Sequence, residues 1–195
     1  MTRSFAVTYD YRCPFARNAH EHLLDGLTAG ADWDVAFLPH SLSQAKLDEP
    51  TWSLDDDPSL WAFGMSVAVR DTQPELFLDA HRALFSLRHD DAGDLRDPEQ
   101  VKAALARVGV DVEAAAKEVT DGSAVATVRA EHDAGVREHQ VWGVPTFIAG
   151  GQAVFVRLMA RPSRSDQRPV EVVERVVDLL DWPLLNEFKH TSLPH

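Results

Sequence analysis

The sequence contains one cysteine, Cys13, within Tyr9-Asp10-Tyr11-Arg12-Cys13-Pro14-Phe15-Ala16. A lone thiol cannot close an internal disulfide, so its chemistry is that of a nucleophile or of a small buried hydrophobe. The local setting favours the nucleophile. Phe5–Tyr9 is rich in aromatic and β-branched residues and reads as a strand, and Pro14 suits the first turn of a helix. Cys13 then stands at a helix amino end, where unpaired N–H groups and the dipole stabilise an anion, and the thiolate is the reactive species. Arg12 adds positive charge nearby or faces solvent. Asp10, one residue past the strand, either caps the helix, the simpler role, or orients a proton. Position 16, where a resolving thiol would sit, holds Ala16.

The elements that must position Cys13 follow from hydrophobic spacing. Phe15, Ala19, Leu23 or Leu24 and Leu27 form a helical stripe that Gly30 stops. Trp33–Leu38 reads as a second strand ended by Pro39. Strand, helix, strand within about forty residues is a βαβ unit with parallel strands. From Ser41 to Gln140 the pattern is helical throughout, with five segments. Asp57-Pro58 introduces one containing Trp61, Met65 and Ala68, and Thr72 with Glu75 supplies a capping box for a second carrying Leu76, Ala80, Leu84 and Leu87. Asp97-Pro98 opens a third with Val101, Ala104, Leu105 and Val108 inward, and Val112–Val119 forms a fourth. Asp121 or Ser123 starts the last, with Val125, Val128, His132, Val136 and His139 on one side. Strand character returns at Gly143–Ala149, a Gly150-Gly151 turn and an antiparallel partner Gln152–Val156. Arg161–Arg168 reads as a polar loop, and Pro169 begins a final helix with Val173, Val176, Val177 and Leu180 as its stripe. The tail from Trp182 is irregular and is expected to pack through Trp182, Leu185 and Phe188.

Composition narrows the function classes. The chain has 195 residues, 45% of them hydrophobic, enough for a substantial core without disulfide staples. A net charge of -12 repels polyanions, so nucleic acid is not an expected partner. The amino terminus lacks signal-peptide character and no window resembles a membrane span, so a cytoplasmic location is expected, where a free thiol stays reduced. Neither a phosphate-cradling glycine loop nor a local Ser-His-Asp order is present. His81, His89, Asp90 and Asp91 lack compact ligand spacing, and no metal is expected.

Several other residues are candidates for the site. His40 and Ser41 follow the second strand, on the edge where open α/β sheets bind ligands, although an ordinary loop also accounts for them. His132 and His139 share a helix face that is either core or cleft wall, whereas His20 and His22, two apart, cannot share one. Trp52 and Trp61 line the cleft or belong to the core. Val144-Pro145-Thr146-Phe147 places a proline just before a strand, a setting for either a cis or an ordinary trans bond.

Taken together, the strand leading into Asp10-Tyr11-Arg12-Cys13-Pro14-Phe15-Ala16, the helical middle, and Gly143-Val144-Pro145-Thr146-Phe147 with the Gly150-Gly151 hairpin resemble the DsbA-like branch of the thioredoxin-like superfamily. Phe37–Leu42 and the tail Trp182–Thr191 resemble an actinobacterial subgroup linked to mycothiol-dependent reduction. The resemblance implies an α/β thioredoxin-like fold, with residues 1–40 and 141–195 as the thioredoxin-like domain and 41–140 as an inserted helical subdomain. It implies Cys13 as attacking cysteine, Pro145 as cis-proline and Val144 as the residue offering backbone atoms to a bound thiol; Pro14, Phe15, Thr146 and, from their place at the sheet edge, His40 and Ser41 complete the expected thiol-binding surroundings. Asp10, Arg12, Ala16, Trp61, His132 and His139 would line the cleft. Family members of the disulfide-forming type usually carry a second cysteine where Ala16 stands here. Kappa-class glutathione transferases and hydroxychromene-carboxylate isomerases instead use a serine at the attacking position with bound glutathione.

The expected function is therefore thiol–disulfide exchange through one nucleophilic cysteine. No cofactor would be tightly bound; mycothiol or glutathione would act as co-substrate and resolver, with a small-molecule or protein disulfide as partner. A thiol-cofactor transferase or isomerase and a non-catalytic binding protein are the alternatives, and a homodimer is left open.

Overall fold

Burial of Phe5, Val7 and Tyr9 at alternate positions makes β1 (Arg3–Tyr9) the central scaffold. The structure, a computed structural model, describes residues 2–162, 168–180, 182 and 184. β1 runs parallel to β2 (Trp33–Pro39), in register from Arg3 opposite Trp33 to Tyr9 opposite Pro39. Between them lies α1 (Pro14–Thr28). Gly30, at φ 86°, makes the left-handed turn out of it. β3 (Thr146–Ala149) pairs antiparallel with the other edge of β1 and with β4 (Gln152–Phe155), giving the order β2-β1-β3-β4. Gly150 and Gly151 both have positive φ (56° and 79°), as a two-residue turn with φ positive at both centres requires.

Five helices lie between β2 and β3: α2 (Leu60–Thr72), α3 (Phe77–His89), α4 (Pro98–Ala106), α5 (Val112–Thr120) and α6 (Ser123–His139). Short 3-10 turns occur at Gln44–Lys46 and Pro74–Leu76. A bidentate pair joins this layer to the sheet. Arg70 of α2 donates to both Glu131 oxygens of α6 (2.7 and 2.8 Å) and to the Phe37 carbonyl of β2 (3.1 Å). α7 (Pro169–Leu180) packs on α1 and β3 through Val173, Val177 and Leu180.

The thioredoxin-like fold expected from the sequence is present, but some local readings need correction. Thr72 ends α2 rather than capping α3, because its hydroxyl donates back to the Ala68 carbonyl at 2.7 Å. The chain re-enters helix only after Pro74, so Phe77 rather than Leu76 begins the buried face. β3 starts at Thr146 rather than Gly143, since Pro145 has no N–H for a ladder. On α6 the buried stripe drifts from His132 to Gly135, leaving Val136 exposed and His139 half-buried. Val176 of α7 is likewise only half-buried. Trp182 is 53% exposed, and Leu185, Phe188 and most of the 161–168 loop lie outside the described residues. Among the described residues, no helix is long and apolar enough to cross a membrane.

Candidate active site

The turn from β1 into α1 brings Cys13 to the helix entrance as its N-cap, with extended backbone (φ -86°, ψ 117°). The Cys13 Sγ accepts the Ala16 N–H at 3.4 Å, and the Cys13 N–H closes the turn on the Asp10 carbonyl at 3.0 Å. Across the site the thiol donates to the Val144 carbonyl at 3.5 Å, and the Val144–Pro145 peptide is cis. Two segments 131 residues apart in sequence thus meet at one sulfur.

Cys13 is 9% exposed. Burial pushes the thiol above its ordinary value and outweighs the Ala16 and Phe15 N–H groups, which favour the thiolate. Asp10 opposes the thiolate and Arg157 favours it. The expectation of a thiolate stabilised outright by the helix start is therefore corrected. The donors are in place, but desolvation is larger, and the resting group is a thiol.

Asp10 is fully buried and does not cap α1. Its carboxylate accepts from the Arg12 N–H, the Arg12 guanidinium and the Leu42 N–H, tying the Cys13 loop to the loop after β2. Arg12 is accordingly neutralised by Asp10 at 2.8 Å, and it also reaches Ser43 at 3.2 Å. It supplies little net field to the sulfur.

Each remaining candidate has a definite place. Pro14 is the exposed first residue of α1, Phe15 is half-buried beside it, and Ala16 is fully buried with its methyl facing the core. Thr146 closes its own turn: its N–H meets Thr8 Oγ1 at 2.8 Å and its hydroxyl donates to the Gly143 carbonyl at 2.8 Å. Ser41 is fully buried and bonds to Ser43 (2.8 Å), so it organises the loop. His40, 1% exposed, stacks on His132 with ring centroids 4.3 Å apart, and Trp52 meets His132 edge-on at 5.0 Å. Burial lowers the pKa of both histidines, His40 to about 4, so both rings are neutral. Both His40 nitrogens, His132 Nδ1 and the Trp61 indole nitrogen are buried without a protein partner. His139, seven residues past His132, shares none of these ring contacts.

Two groups near the site gave no local signal in the sequence. One is a buried chain beneath the Cys13 turn. His20 Nε2 faces the Thr8 carbonyl (3.1 Å), which only accepts, so Nε2 carries the proton. Burial holds His20 neutral, with a pKa of about 4, so its Nδ1 accepts from His81 Nε2 (2.9 Å). His81 is also neutral, so its Nδ1 accepts from the Tyr11 hydroxyl (2.7 Å). Tyr11 then accepts from Ser66 (2.5 Å) and Ser66 from Tyr9 (3.1 Å). His89 completes the clamp by donating to the Tyr11 carbonyl at 2.9 Å. The other group is Arg157, whose guanidinium lies 4.6 Å over the Phe15 ring and 5.7 Å from the Phe155 ring.

The comparisons agree with this architecture. Residues 6–159 match the family model of the DSBA-like thioredoxin domain. Among curated proteins, none matches the sequence significantly. Among solved structures, DsbA from Pseudomonas aeruginosa is similar over 93% of this chain and 84% of that one, at 20% identity and a TM-score of 0.62. BdbD from Bacillus subtilis is similar over 91% and 87% respectively, at 14% identity and a TM-score of 0.62. A 2-hydroxychromene-2-carboxylate isomerase is similar over 90% and 95%, at 16% identity and a TM-score of 0.62. These identities speak for the fold, while the family match spans the Cys13 turn, the helical layer and the β3–β4 hairpin together. The chain belongs to the DSBA-like thioredoxin domain family.

Proposed function

We propose that the protein is a thiol–disulfide oxidoreductase that works with Cys13 alone and an external small thiol. The observation carrying this reading is the contact of Cys13 Sγ with the Val144 carbonyl beside cis-Pro145, with Ala16 rather than a second thiol one turn along α1. Cys13 loses its proton to solvent and attacks one sulfur of a disulfide. The Cys13–sulfur bond forms as the S–S bond breaks, and the electron pair leaves on the departing thiolate. A small thiolate, from glutathione or mycothiol, then attacks the captured sulfur of the mixed disulfide: a new S–S bond forms to the small thiol, the bond to Cys13 breaks, and Cys13 leaves as thiolate while the captured half departs as a disulfide of the small thiol. The cycle runs in the cytoplasm, where such thiols are kept reduced. Turnover with a mixed disulfide substrate should require the added thiol and vanish in Cys13→Ser. Turnover that survives this substitution contradicts the exchange reading.

Surviving activity would instead favour a second reading, supported by the raised thiol. A protonated Cys13 can donate to the sulfur of a bound thiol cofactor, as a transferase or isomerase would require. A serine at position 13 would preserve that donor.

A further inference from the structure

Arg157 is set apart from most arginines of the chain by what holds it. Arg12, Arg17, Arg70, Arg82 and Arg96 each meet a carboxylate within 2.9 Å. Arg157 has no carboxylate within ion-pair distance among the described residues; aromatic faces hold it instead, Phe15 at 4.6 Å and Phe155 at 5.7 Å. The backbone explains its position. The Val156 N–H donates to the Pro145 carbonyl at 3.0 Å, so the chain leaving β4 runs directly past the cis-proline. Residue 157 therefore emerges beside the Cys13–Val144 contact, and Phe15, two residues after Cys13, receives its side chain.

The charge balance around the sulfur makes this position informative. The Arg12 charge is taken up by Asp10, whose carboxylate still opposes the Cys13 thiolate, and the His40 and His132 rings are uncharged. Arg157 is exposed, in a protein whose net charge is -12, and is the cationic side chain whose charge acts on the sulfur, against the opposing charge of Asp10. The field it places on Cys13 favours the thiolate. With its guanidinium carbon 4.6 Å from the Phe15 ring and no carboxylate partner among the described residues, the fork retains N–H donors for a ligand carboxylate to accept from.

We propose that Arg157 is the specificity residue of the Cys13 site, selecting small thiols and disulfides that carry a carboxylate near the sulfur. This rests on thiol exchange at Cys13 and narrows its substrate class to anionic thiols of the glutathione type rather than uncharged, sugar-linked ones. In the exchange step, Cys13 thiolate displaces one thiolate from the disulfide and retains the other half as the mixed disulfide. The carboxylate of the retained half pairs with the guanidinium. No electrons are exchanged with any further reagent.

The test is the rate of mixed-disulfide formation on Cys13, read by intact mass, with three probes of different charge: dithiodipropionate, hydroxyethyl disulfide and cystamine. Arg157→Met should slow the anionic probe by roughly fivefold more than the neutral one, the scale of a partly exposed ion pair of about 1 kcal/mol. The cationic probe should be slowed least or accelerated, and Arg157→Lys should restore much of the anionic rate. Using ratios between probes removes the loss of thiolate, which slows all three alike. Equal slowing of the three probes overturns the proposal and leaves Arg157 as a thiolate stabiliser only. Absence of an adduct with every probe, in the unsubstituted protein, overturns the exchange reading and this proposal together. Thermal melts of both variants, expected to match the parent because the side chain is exposed, separate recognition from misfolding.

Discussion

At Cys13, two opposing effects act on one sulfur, and the structure shows which is larger. The helix start supplies N–H groups from Ala16 and Phe15, but burial to 9% exposure raises the thiol despite them. Reactivity should therefore keep rising with pH beyond the ordinary cysteine value of about 8.5. Iodoacetamide alkylation followed by mass spectrometry across pH should give a midpoint above that value; a midpoint near neutrality would show that the dipole outweighs burial. The same residue shows where sequence reading works and where it stops. Cys13, Pro14 and Ala16 form a local pattern whose helix-start geometry follows from neighbouring residue types. The balance of burial against N–H donors depends on Val144, 131 residues away, and on the layer above it. Asp10 is a related case. A carboxylate before a helix reads as a cap, yet here the β2 loop and Arg12 occupy its oxygens.

Elements with strong hydrophobic periods or turn chemistry were legible, and those governed by distant packing were not. β1, α1 and β2 follow from composition and spacing, and the Gly150-Gly151 turn follows from its need for positive φ. The start of α3 is set by Pro74 and tertiary burial of Phe77, which the Thr72–Glu75 pattern does not reveal. Arg157 follows a short strand and has no motif around it; its significance appears only when the hairpin lies against Phe15. Packing between elements also makes a sharp stability prediction. A methyl added at Gly26 of α1 would come within 2.4 Å of the Trp33 ring, itself held by Glu174 of α7 at 2.6 Å and by Phe5 edge-to-face. Gly26→Ala should gain about 1 kcal/mol of helix propensity but lose more to overpacking, for a net loss of up to about 2 kcal/mol. Urea unfolding would check this, and a stabilised variant would mean that Trp33 moves aside freely.

Across the whole molecule, neutral histidines join the layers, and this makes stability depend on pH. His20 of α1 and His81 of α3 meet beneath the Cys13 turn, while His40 after β2 stacks on His132 of α6. His20 and His40 are lowered to about 4, and His81 well below its ordinary value, chiefly by burial. Their depressed values mean that the unfolded chain binds more protons than the folded one between pH about 6.5 and about 4. Stability should fall as pH drops through this window, by up to about 1.4 kcal/mol per pH unit for each such histidine. Denaturant melts from pH 7 to pH 4.5 should show this loss, and His81→Phe should reduce its slope. A flat profile would mean that the rings are protonated in the fold.

The central claim is that Cys13 captures a sulfur partner and depends on an outside thiol to release it. Intact mass before and after excess reduced glutathione, following exposure to glutathione disulfide, tests both halves in one sample. The account predicts one glutathione adduct per chain, absent in Cys13→Ser and removed by the reduced thiol. A chain that takes no adduct, or one whose adduct resists the thiol, would contradict it.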